Sequence, residues 1–178
     1  MSEAPPLDGG TRKIYLLVAW LSLLTILAVS AYGLFEWVTG HFDIVGQELV
    51  NVYWPLPYFA QPVTYFSVSC VALFYSGLRL WDRSIRSWPR WTLSLFQLLG
   101  FVVAFSAAYE VLYNFMLWGA TYSIACASQL TTCNPDIIFT NYPVPWNLVF
   151  ATRAFSALFV VSGYSVYYLR RLVGGNII

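Results

Sequence analysis

The sequence predicts an all-α integral membrane protein with four transmembrane helices, and three observations predict it. Hydrophobic residues make up 59% of the 178 and charged residues only 10%, where a soluble domain carries about 25% charged residues. The apolar residues gather in four continuous runs, each long enough for a hydrocarbon core of about 30 Å, which takes about 20 helical residues. The runs lack the polar–apolar alternation of a membrane barrel. A chain this short has too little interior to hide so much apolar surface from water, which excludes a soluble enzyme. The low charge argues against disorder, and a net charge of +1 leaves no footprint for nucleic acid.

Residues 1–13, with Pro5, Pro6, Gly9 and Gly10, read as a flexible cytoplasmic tail. The transmembrane domain covers 14–172, and 173–178 form a second tail. Span one is expected over 14–38. Ala28-Val29-Ser30 resembles a signal-peptide cleavage site, but the apolar run continues to Phe35, so the segment is kept as a helix. Span two is expected over 62–81, opening on Pro62, a residue suited to a first helical turn. Span three covers 91–119 and is interrupted only by Glu110; span four covers 146–169 and contains Arg153.

Eight of the nine Lys and Arg fall before span one, from the last turn of span two to the start of span three, or after span four. The positive-inside rule then places both termini in the cytoplasm of a multi-pass cell-membrane protein. A faint internal echo pairs Tyr32–Trp37 with Tyr113–Trp118 and Tyr75-Ser76 with Tyr164-Ser165. It fits two parallel hairpin repeats related by an axis along the membrane normal; chance matching within aromatic belts is the alternative.

Charge inside the membrane is the feature that normally marks function. Glu110 lies about 12 Å below the outer end of span three and Arg153 about 10 Å below that of span four, at 1.5 Å per residue. Equal depth on antiparallel neighbours predicts an ion pair, with Asn114 one turn from Glu110, and Ser156 and Val160 continuing the Arg153 face. Glu36 lies near the outer end of span one. Either Glu36, Glu110, Asn114 and Arg153 line a polar pocket, or Glu110–Arg153 is an interhelical clamp. A conduction path needs more polar positions than the inner halves provide, so the clamp is the first reading. Small residues, Ala104, Ala107 and Ala108 with Ala151, Ala154, Ser156 and Ala157, are expected at the seam between spans three and four.

Cys126 and Cys133 share the outer loop between spans three and four, where oxidising conditions favour a disulfide. The length and layout are those of disulfide-generating membrane oxidoreductases, yet there is no Cys-x-x-Cys motif. In the first outer loop a short helix capped by Asp43 and reaching about Val52 is expected to lie along the membrane surface or against a partner. His41, Asp43 and Glu48 match no metal motif, and His41 is the single histidine. No cofactor is implied.

These readings lead to a non-catalytic integral membrane subunit or scaffold of a larger membrane complex. Its expected partners are the lipid bilayer and other membrane subunits or further copies of itself, with no nucleic acid. A small transporter or channel with a polar site in the outer leaflet is the alternative, and a membrane thiol oxidoreductase comes third.

Overall fold

The computed structural model describes residues 8–41, 47–51, 60–127 and 146–173. Among these residues every regular element is a helix: α1 (Gly9–Val38), α2 (Glu48–Asn51), α3 (Pro62–Leu80), α4 (Asp82–Arg86), α5 (Arg90–Ala127) and α6 (Trp146–Val173). Four of them, α1, α3, α5 and α6, are long and apolar enough to cross a membrane.

Two span ends differ from expectation by five residues or more, and the short outer helix differs in its setting. Helix α1 starts at Gly9 and takes in Arg12 and Lys13, because an exposed basic turn can continue a helix into water once Arg12 N–H reaches Asp8 C=O at 3.0 Å. Helix α5 runs eight residues past Gly119, with the Thr121 and Ser123 hydroxyls donating to the Leu117 and Gly119 carbonyls. Helix α2 is four residues long, and Glu48, Leu49 and Val50 are all buried. It touches α1, α3 and α6, so it closes one end of the helix array. That corrects the expected surface helix; Asp43 and Val52 lie outside the described residues.

The spans form an open row and not a closed bundle. Helix α1 packs on α3, α3 on α6, and α6 on α5. Directions follow from the contacts. The Tyr15 and Tyr75 rings lie 6.0 Å apart while Val29 clusters with Val63, so α1 and α3 are antiparallel. Leu93 clusters with Tyr168 and Leu169 while Gly100 faces Ser162 and Val166, so α5 and α6 are antiparallel. Thr64 meets Arg153 and Tyr75 meets Tyr164; both contacts advance by 11 residues on each helix, so α3 and α6 are parallel and in register. Gly9, Leu80, Arg90 and Val173 therefore share one end of the molecule, here termed the basic end.

The two antiparallel seams obey one rule. On α5 the positions turned inward are Leu93, Gln97, Gly100, Ala104, Ala107, Val111, Asn114 and Trp118, spaced alternately by four and three. On α1 they are Tyr15, Val18, Ser22, Thr25, Val29, Tyr32 and Glu36, spaced alternately by three and four. A mean step of 3.5 keeps a stripe facing one neighbour when two helices wind left-handedly about each other. Ala104 and Ala107 are buried at their seam as expected. Ala154 is exposed, and Ser156 and Ala157 turn to a different face of α6, because that helix must serve α3 as well as α5.

At the basic end α4 folds back under α6. The Asp82 carboxylate accepts from Arg86 Nε at 2.6 Å and Nη2 at 3.2 Å, and from the Tyr168 hydroxyl. Partial burial disfavours its charge, but the donors from Arg86 and Tyr168 outweigh that and hold the carboxyl below its ordinary range. A depressed folded value stabilises the fold above the ordinary pKa of about 3.9, and this contribution is lost as pH falls through the folded value. Tyr168→Phe is expected to cost about 1 kcal/mol at neutral pH, and the difference should shrink as pH falls through the depressed folded value of Asp82. Thermal unfolding in detergent, followed from pH 7 into progressively stronger acid, checks this; a cost that never changes with pH would show that the bond to the carboxylate contributes nothing.

Candidate functional site

Far from the basic end, α2 inserts a carboxylate into the array. Glu48 has no solvent exposure at all, and Leu49, Val50, Val29 and Val63 form the cluster around its helix. Its room comes from Gly33 on α1: a Cβ there would stand 2.5 Å from Glu48 Oε1. Only a residue without a side chain permits that approach. Gln61, just ahead of α3, donates through Nε2 to the Val50 carbonyl and ties the last residues of α2 to the start of the second span.

Below this plug a groove of about 860 Å3 runs between α1 and α6 with α3 as its floor. Its upper end carries Arg153, whose Nη1 donates to Thr64 Oγ1 at 2.8 Å. Its lower end is aromatic: Tyr75 contacts Tyr15 at 6.0 Å and Tyr164 at 5.0 Å between ring centroids, and the Arg79 guanidinium lies 5.4 Å from the Tyr75 ring centre. Ser76, also in the lining, is fully buried, and its hydroxyl has no hydrogen-bond partner among the described residues. Between the two ends the wall is apolar, built from residues such as Val68, Val71, Ala72, Val160 and Val161. Arg153, Ser156, Ala157, Val160, Val161 and Tyr164 recur at the spacing of one helical face.

The four polar residues singled out from sequence do not converge. Glu36 is half-buried on α1 and its carboxylate meets His41 Nδ1 at 2.9 Å. Glu110 and Asn114 lie on α5, at the other end of the row, and Arg153 faces α3. Among the described residues the recorded ion pairs join Glu36 to His41 and Asp82 to Arg86, and Glu110 is in neither. The expected Glu110–Arg153 pair is thus corrected: the depths agree, but Arg153 is on the α3 side of α6 and Glu110 flanks the opposite seam. Asn114 is buried in that seam, and its Nδ2 has no partner among the described residues.

Sequence reasoning missed Glu48 as a buried group and missed the groove. The available signal for the first was Gly33, a buried glycine of α1 next to Tyr32 of the inward stripe. Cys126 ends near the close of α5, and Cys133 lies outside the described residues. Among the described residues no group of three His, Cys, Asp or Glu stands together to hold a metal ion. Comparison with protein-family models, curated proteins and solved structures finds no match.

Proposed function

We propose that the chain is a non-catalytic integral membrane subunit or scaffold of a larger membrane complex. The open row carries this reading. No more than 11% of the apolar window of any span is buried within the chain, and α1 and α5 each pack against one long neighbour. A transporter that works alone needs an enclosed path between helices, whereas a row presents both faces to lipid or to other subunits. The failure of Glu36, Glu110, Asn114 and Arg153 to converge also weighs against a single transport pocket.

In this proposal the basic end faces the cytoplasm, since Arg12, Lys13, Arg79, Arg83, Arg86, Arg90, Arg170 and Arg171 belong to it or its flanks. The two hairpins are repeats about an axis between α3 and α6. Support comes from Thr64–Arg153 and Tyr75–Tyr164, both joining positions 89 apart in sequence, as contacts on a two-fold axis must. A Cys126–Cys133 disulfide closes the outer loop.

The test is extraction of the native protein in mild detergent, followed by native gel and mass spectrometry. The expected result is a stoichiometric assembly with other chains. Recovery only as a monomer or homo-oligomer would overturn the reading.

A further inference from the structure

We propose that α5 docks a transmembrane helix of a companion subunit on the face that carries Glu110, and that this helix brings a Lys or Arg side chain to the Glu110 carboxylate. The inference rests on the subunit reading and names what the partner must carry.

Glu110 lies half-buried in the apolar body of α5. Among the described residues no hydrogen bond or ion pair reaches it. Trp118 stands eight residues further out, about 12 Å at 1.5 Å per residue, so the carboxylate sits below the belt where aromatic side chains meet water. An ionisable group at that depth is costly unless it is paired.

The chain has no cation to give it. Its nine Lys and Arg and its single His all fall among the described residues. His41 meets Glu36. Arg153 is level with Glu110 but is turned to α3, where it donates to Thr64 Oγ1, and it is already engaged. The other eight belong to the basic end. Arg90 is 20 residues from Glu110 along α5, about 30 Å, and Arg79 is 15 residues below Thr64 along α3, about 22 Å. A second copy inserted the same way round brings the same side chains at the same heights, so it offers no cation either.

Two other sources fail on position and coordination. The ammonium of a lipid head group lies in the interface, above the carboxylate. A hard metal ion such as calcium takes about six to eight oxygen ligands, and among the described residues no three His, Cys, Asp or Glu stand together. Lys or Arg on another polypeptide remains, since its long stem carries charge past apolar surface.

The face is open to such a helix. Helix α5 is an edge of the row, with α6 as its long neighbour. One residue back from each seam position, about 100° around the helix, Leu99, Val103, Ser106, Glu110, Tyr113 and Leu117 recur at alternate steps of four and three. All but Glu110 are exposed, and the small Ser106 at the centre lets a second backbone come close. At the other edge the carboxylate of α1, Glu36, already has its partner, so charge selects α5.

Mild-detergent extraction of the full chain from native membranes, with quantitative mass spectrometry of its companions, tests the contact. Glu110→Gln is expected to lower the yield of one companion at least tenfold. Thermal unfolding of the purified variant should match that of the wild type. Ser106→Cys and Leu117→Cys should crosslink to that companion within about two turns of a Lys or Arg in an apolar span, and Phe105→Cys, on another exposed face of α5, should not. Full retention of every companion by Glu110→Gln, or crosslinking to a span that holds no Lys or Arg, overturns the proposal and leaves the subunit reading standing. A loss of thermal stability in the purified variant would assign the carboxylate a role within the chain and overturn the proposal in the same way. A wild-type chain recovered with no companion overturns both.

Discussion

Gly33→Ala is expected to destabilise the fold by about 1–3 kcal/mol, the usual cost of overpacking. The added methyl would stand 2.5 Å from Glu48 Oε1, a separation no real contact tolerates, and the carboxylate has no exposed direction in which to retreat. Either the Glu48 side chain turns within its buried site, or α2 lifts from the array, or α1 moves off α3. Glu48→Ala removes the obstacle at a cost of its own, about 2 kcal/mol, within the common range for emptying a buried position. The two changes are therefore expected to be strongly non-additive. In the Glu48→Ala background the alanine at 33 should cost less than half of what it costs alone, a coupling of about 1 kcal/mol. Unfolding of the four proteins in mixed micelles measures the cycle. Simple additivity would mean that Gly33 and Glu48 do not meet.

The second large effect is expected at the other antiparallel seam. A Cβ on Gly100 would lie 3.1 Å from Val166 Cγ2 and 3.7 Å from the Ser162 carbonyl oxygen. Alanine asks Val166 to give by a few tenths of an ångström, so Gly100→Ala should cost under about 1 kcal/mol, offset by the gain in helix propensity. Gly100→Leu cannot be accommodated that way and should drive α5 from α6, costing about 3 kcal/mol, the upper end for overpacking. The same helix supplies the control. Nothing stands within 4 Å of the Cβ position at Gly119, so Gly119→Leu should be neutral or slightly stabilising. Equal responses at 100 and 119 would show that Gly100 is not at a close contact.

Four spans were legible in the sequence because lipid imposes a simple rule, about 20 apolar residues for each crossing, and α3 begins on Pro62 as its sequence demands. Relative height was legible too: the contacts of Leu93 with Leu169 and of Gly100 with Ser162 set Glu110 and Arg153 level on neighbouring antiparallel helices. Direction around the axis was not. On α6, Ser162, Val166 and Leu169 serve the α5 side while Arg153 and Val160 serve the groove, and a helix apolar on every face gives no moment that says which neighbour each face meets. For the same reason Ser156 and Ala157 read as seam residues. The row order was also hidden, because the shortest connection, through α4, joins α3 to α5, yet α3 packs on α6 and leaves the meeting of the two hairpins to side-chain fit. Glu48 escaped because its surroundings are contributed by α1, remote from the loop sequence in which it stands.

The parallel, in-register contact of α3 with α6 has a consequence for how the protein is made. Each hairpin completes its own seam from segments adjacent in the chain, so α1 and α3 can settle together in the bilayer while α5 and α6 are still being synthesised. The joint between hairpins is the last to form and the narrowest to maintain. Thr64 with Arg153 at one end, and Tyr75 with Tyr164 at the other, act as a latch between two separately inserted units, and its strength sets whether the second half of the protein stays beside the first or drifts away within the plane of the membrane.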